Sequence, residues 1–283
     1  MRRSLVVGIV GALVALGLSA SATAAPAGPD RFGEPVYLAV GDSVPAGVGA
    51  RPAQPGYPER LVELLEGGYD PAADKATPKA AADFELVNLA VSGATTATLI
   101  QSQLGPALAL VEERDGTRDP FDDVEVVTVT IGGNDVFGPA QQACLATATP
   151  VGCQATLETA LAGVEERLTT ILGALVAAAG RDAEVVVTTY YNPIGSCFLS
   201  QRNPAAPAIA DVGLEGGSLP GVLTLPAGLN DVIRQVAATT GAQVTELYGE
   251  LGPDQYVGGQ DCLHPNPAGH AEIAELVYAT LAR

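Results

Sequence analysis

The stretch Val36-Tyr37-Leu38-Ala39-Val40-Gly41-Asp42-Ser43 runs five apolar residues straight into a polar Gly-Asp-Ser corner. An apolar run without polar alternation reads as a strand covered on both faces, the mark of a parallel sheet. Four further runs of this kind follow, at 84–89, 124–131, 184–189 and 242–247. Helical patterns separate them, at 57–66, 97–111, 156–179 and 229–240, and a last one covers 267–282. Asn266 is placed to cap that last helix, with Pro267 at its first position. Ile273, Leu276, Val277 and Thr280 then fall at helical spacing, a face that docks on the sheet. Strands alternating with helices predict an α/β fold with a five-stranded parallel sheet and helices on both sides. No repeat or composition break divides the chain, and the Pro/Gly-rich stretch 192–226 reads as a long surface excursion available for substrate contacts.

Composition narrows the function. The chain has 283 residues, 47% of them apolar and 16% charged, which is too apolar for a disordered chain and long enough for a sizeable core. Its formal charge of −18 supplies no basic face for nucleic acid. Lysine occurs only as Lys75 and Lys79, which disfavours docking on an anionic membrane. Arg2 and Arg3 precede an apolar run from Leu5 to Leu18, too short to span a bilayer and suited to a signal peptide. Ala22-Thr23-Ala24 gives a small-x-small cleavage site, so residues 1–24 read as an export signal and 25–283 as one domain. No cysteine lies near the cut, and no stable membrane anchor is expected.

In an oxidising compartment Cys144, Cys153, Cys197 and Cys262 read as two disulfides. Three pairings are open, and proximity favours Cys144–Cys153, leaving Cys197–Cys262. With no CxxC pair and two histidines, no metal site is expected.

In a parallel sheet the carboxyl ends of the strands share one edge, where ligands bind. Four polar clusters fall there. Gly41-Asp42-Ser43 follows the first strand, and Asn88 through Ser92-Gly93 the second. Gly132-Gly133-Asn134-Asp135 follows the third, and Asp261-Cys262-Leu263-His264 precedes the final helix. Each alone is an ordinary turn or loop sequence; in this order, each behind its own strand, they converge.

The four clusters resemble the motifs of the SGNH (GDSL-type) serine hydrolases over nearly the whole chain after residue 24. Val44 stands where many members carry Leu. The resemblance implies a three-layer α/β/α, flavodoxin-like fold, ester hydrolysis and no cofactor. The sequence further resembles an exported actinobacterial lipase and esterase branch, many of whose members carry three disulfides where this chain has cysteines for two. It implies Ser43 as nucleophile, His264 as base and Asp261 as its partner. It also implies an oxyanion hole of the Ser43 N–H, the Gly93 N–H and the Asn134 amide. These roles suit the chemistry, since a serine needs a base to take its proton and the tetrahedral intermediate needs fixed donors. Asp42 and Asp135 read as loop-fixing groups, and His270, inside the last helix, as structural.

Substrates expected on this basis are small-molecule or lipid esters, handled by a secreted monomer. A carbohydrate O-acetylesterase using the same triad is the alternative, and a non-catalytic secreted binding protein is the reading from another class. Phe137, Tyr190, Tyr191 and Phe198 are placed to line the pocket that decides between the two enzymes, and the absence of Trp tilts towards acyl chains.

Overall fold

A computed structural model of the chain describes residues 33–67, 83–115, 122–145, 150–181 and 183–281. The export signal read at 1–24 lies outside them, as does Ala282. The described residues open with β1 (Val36–Gly41), α1 (Tyr57–Glu66), β2 (Glu85–Asn88), α2 (Thr96–Ser102) and α3 (Leu104–Asp115). Then come β3 (Val124–Thr130), α4 (Gly133–Ala140), which runs on as a π-helical turn Gln141–Leu145, α5 (Pro150–Ala179) and β4 (Glu184–Thr188). The remainder holds α6 (Phe198–Arg202), α7 (Ala206–Glu215), a hairpin of β5 (Gly217–Leu219) and β6 (Leu223–Leu225), α8 (Leu229–Thr240), β7 (Gln243–Thr245) and α9 (Pro267–Leu281).

Five of the strands form one all-parallel sheet in the order β2-β1-β3-β4-β7. This is a doubly wound order, and its switch point, where ligands bind beyond the strand ends, lies between β1 and β3. The unbroken apolar strands sort by their period of two. Val36, Leu38 and Val40 of β1, with Val127, Val129, Val185 and Val187, pack under α2, α3, α5 and α8. Tyr37, Ala39, Val126 and Val186 face the other way, against Leu61 and Leu65 of α1 and Ile273 and Val277 of α9. The result is three layers, α/β/α. Each such aliphatic side chain contributes about 1.5–3 kcal/mol when fully buried.

Hydroxyls on the α1 face satisfy one another. Tyr37 Oη lies 2.7 Å from Thr128 Oγ1, Tyr57 Oη 3.1 Å from Thr130 Oγ1, and Thr188 Oγ1 donates to Thr130 Oγ1 at 2.9 Å. Paired in this way they can be buried without the desolvation cost of lone polar groups.

Three expectations change. The single helix read at 97–111 is two, broken at Gln103 just before Gly105 and Pro106. The polar turn after the third strand is the start of α4, whose N-cap Gly132 sits at φ 118°. The stretch 192–226 is no surface excursion: it holds α6, α7 and the hairpin, and buries Ile209, Val212, Leu223 and Leu225 in the main core.

Candidate active site

The carboxyl end of β1 is pinned before the corner that follows it. Gln103, buried at the break between α2 and α3, accepts from the Gly41 N–H and donates to the Gly41 carbonyl, both at 2.8 Å. Gly41 sits at φ 141°, and a Cβ there would stand 2.1 Å from the Thr130 carbonyl oxygen, so only glycine fits. Asp42 Oδ1 then accepts from the Val44 N–H at 2.9 Å, and the Tyr190 hydroxyl donates to Asp42 Oδ2. Burial pushes the Asp42 carboxyl up to about 6, opposed by those two hydrogen bonds. Tyr190 is itself held through its backbone by the Asn230 amide.

Between these anchors Ser43, 8% exposed, presents its Oγ 2.9 Å from His264 Nε2. His264 Nδ1 lies 2.7 Å from Asp261 Oδ2, while Asp261 Oδ1 accepts from the Leu263 and His264 N–H groups at 2.9 and 3.0 Å. Burial works to raise the Asp261 carboxyl, but these hydrogen bonds outweigh it and the net shift is downward, so the carboxylate stays charged. Tyr191 donates to the Leu263 carbonyl at 2.9 Å, and a disulfide joins Cys262 in this loop to Cys197. The other disulfide is Cys144–Cys153.

The second and third clusters meet beside Ser43. Asn134 Nδ2 donates to the Ala94 carbonyl at 2.9 Å, and its amide has a second hydrogen to give. Asp135 accepts from the Thr96 N–H, the Thr96 hydroxyl and Arg167 Nη2, at 2.8, 2.6 and 3.0 Å. This fixes the start of α2 to the start of α4. Gly93 adopts φ 82°, a left-handed geometry that a side chain would strain. Among the described residues, the Ser43 and Gly93 N–H groups donate to no backbone carbonyl.

The two histidines are built differently. His270 is fully buried, accepts from the Tyr57 N–H on Nδ1 (3.2 Å) and donates from Nε2 to the Val48 carbonyl (3.0 Å). Burial is the main cause that lowers its pKa, so the folded protein holds it neutral. A base with a depressed folded pKa stabilises above the unfolded value of ~6.5 and loses that contribution as pH falls below it. His270→Leu should cost about 1–3 kcal/mol at pH 8 by orphaning two backbone groups. The gap to wild type should narrow at pH 5.5. Urea unfolding at the two pH values checks this, and a gap that holds or widens on acidification would refute it.

A cavity of about 110 Å³ opens from Ser43 and Asn134, walled by Val136, Phe137, Leu157, Tyr190, Tyr191, Ile209 and Leu229 among others. Phe198 lies outside it, on a more open depression of about 430 Å³ beside His264, with Gln141, Gln260 and Leu263. Gln103, Thr96 and Arg167 are the supports that sequence reasoning did not find.

A hydroxyl, an imidazole and a carboxylate aligned at the switch point of a doubly wound sheet can deliver an oxygen nucleophile to an acyl carbon. This is the geometry of an acyl-transfer site on a three-layer α/β/α fold. Residues 39–272 match the GDSL-like lipase/acylhydrolase family, and the chain belongs to it. It is a carboxylic ester hydrolase. No match is found among curated protein sequences. Similar solved structures include a lipase from a goat rumen metagenome, 20% identical with a TM-score of 0.56, matched over 87% of this chain and 97% of that one. An extracellular lipase from Streptomyces rimosus is 22% identical, TM-score 0.54, over 87% and 99%. An acetylxylan esterase from Geobacillus stearothermophilus is 18% identical, TM-score 0.53, over 88% and 95%. These likenesses support the three-layer fold.

Proposed function

We propose that the protein is a secreted serine esterase that hydrolyses apolar acyl esters through Ser43, His264 and Asp261. The observation that carries the reading is the unbroken chain from Ser43 Oγ through His264 to Asp261, with contacts of 2.9 and 2.7 Å. His264 takes the Ser43 proton as Oγ attacks the ester carbonyl, and Asp261 stabilises the imidazolium that forms. The oxyanion is received by the Ser43 and Gly93 N–H groups and the Asn134 amide. His264 then passes its proton to the leaving alkoxide, which places the alcohol in the open depression beside it. Water repeats the sequence to release the acid and restore Ser43.

The apolar cavity favours an acyl chain over the sugar platform that an O-acetylesterase needs. Export is supported by the cysteine pairing, since disulfides persist in oxidising compartments. Among the described residues no helix is long and apolar enough to cross a membrane. The test is hydrolysis of p-nitrophenyl esters together with fluorophosphonate labelling, with Ser43→Ala as the blank. A protein that neither hydrolyses nor labels above the blank is not a serine esterase.

Asn134→Ala is expected to lower kcat by roughly 10²–10³ with little change in KM, the range for one oxyanion donor. A change confined to KM would make Asn134 a substrate-binding group.

A further inference from the structure

α7 lines the cavity with Ala206, Ile209, Ala210, Gly213 and Leu214, and three of these five are small. Ala206, Ala210 and Gly213 follow one another at helical spacing on the lining face, a row about 10 Å long. Gly213 is unlike every other buried glycine among the described residues. At Gly41, Gly56, Gly132, Gly228 and Gly269 an added Cβ would meet an atom at 3.2 Å or closer. At Gly213 it would meet nothing within 4 Å, although the residue is buried. Nor does its backbone call for glycine, since Gly213 is not among the positive-φ positions. Glycine is the poorest helix-interior residue after proline. Neither crowding nor conformation explains it here, and what its missing side chain leaves is lumen.

We propose that Gly213 sets the acyl length this enzyme accepts, and that the preferred acyl group is a medium-length alkyl chain lying along α7. The proposal rests on the reading of the cavity as the acyl side of the site. A side chain at 213 would occupy the space that distal methylenes fill, while an acetyl group at Ser43 would not reach it. Each buried methylene is worth about fourfold in binding, so the effect should be graded with both acyl length and side-chain size.

The experiment compares kcat/KM on p-nitrophenyl acetate, butyrate and octanoate for wild type, Gly213→Ala, Gly213→Val and Gly213→Leu. Folding is checked by circular dichroism and Ser43 reactivity by fluorophosphonate labelling. Wild type should prefer octanoate. The octanoate-to-acetate ratio should fall stepwise along the series, by at least about tenfold for Gly213→Leu. Acetate turnover should stay within about twofold of wild type. Should Gly213→Leu fail to fold, the Ala and Val variants carry the same gradient. An unmoved ratio in folded, labelled variants, or a wild type fastest on acetate, overturns the length gauge and leaves the esterase reading standing. Loss of labelling and of all hydrolysis in wild type overturns both.

Discussion

Ser43→Ala should abolish all but a residue of ester hydrolysis, at least ~10³-fold in kcat/KM. The substitution removes one atom, the Oγ that stands 2.9 Å from His264 Nε2. It leaves the corner intact, because that corner is held by Gln103 on Gly41 and by the Val44 N–H and Tyr190 on Asp42, none of which involves the serine side chain. Loss of rate with an unchanged unfolding curve therefore isolates the nucleophile. Groups that act as one unit are not additive, so adding His264→Ala to Ser43→Ala should cost almost nothing further. A folded Ser43→Ala protein that keeps most of its activity would end the assignment.

Asp261→Asn should be the second large loss, roughly 10⁴-fold in kcat, with the fold preserved. Asp261 Oδ1 accepts from two backbone N–H groups, so an amide must keep its oxygen on that side. Its NH2 then faces His264 Nδ1, where Oδ2 stood at 2.7 Å. Donation from that NH2 places the ring proton on Nε2, pointing at Ser43, and His264 can no longer accept the serine proton. Turnover by Asp261→Asn beside Asp261→Ala checks this. A loss below about tenfold in the Asn variant would mean that the tautomer of His264 is set by something else.

What could be read from the chain in advance follows from where its signals are local. The strands were legible because burial on both faces leaves no charged or amide residue in Val36–Gly41 and only Glu125 in Val124–Thr130. The α9 start was legible because its cap is a side chain: Asn266 Oδ1 accepts from the Ala268 and Gly269 N–H groups. The four polar clusters could be placed at one edge because parallel topology leaves them no other. The start of α4 was hidden because Gly132-Gly133-Asn134-Asp135 is also a good turn sequence and Pro139 lies inside the helix. Proline and glycine made 192–226 look exposed, although Ile209 and Val212 were already at helical spacing there. The supports of the site were not legible: Gln103 serves Gly41 from 62 residues away and Arg167 serves Asp135 from 32, and neither distance leaves a pattern in a single sequence.

Ser43 and His264 are separated by 221 positions along the chain. At 5–20 residues per second of synthesis, roughly 10–45 s pass between the making of the proposed nucleophile and the making of its proposed base. Throughout that interval the nascent chain carries an unarmed serine. The order of residues thus works as a clock: on the proposed roles, no activity can appear before residue 264 has been made.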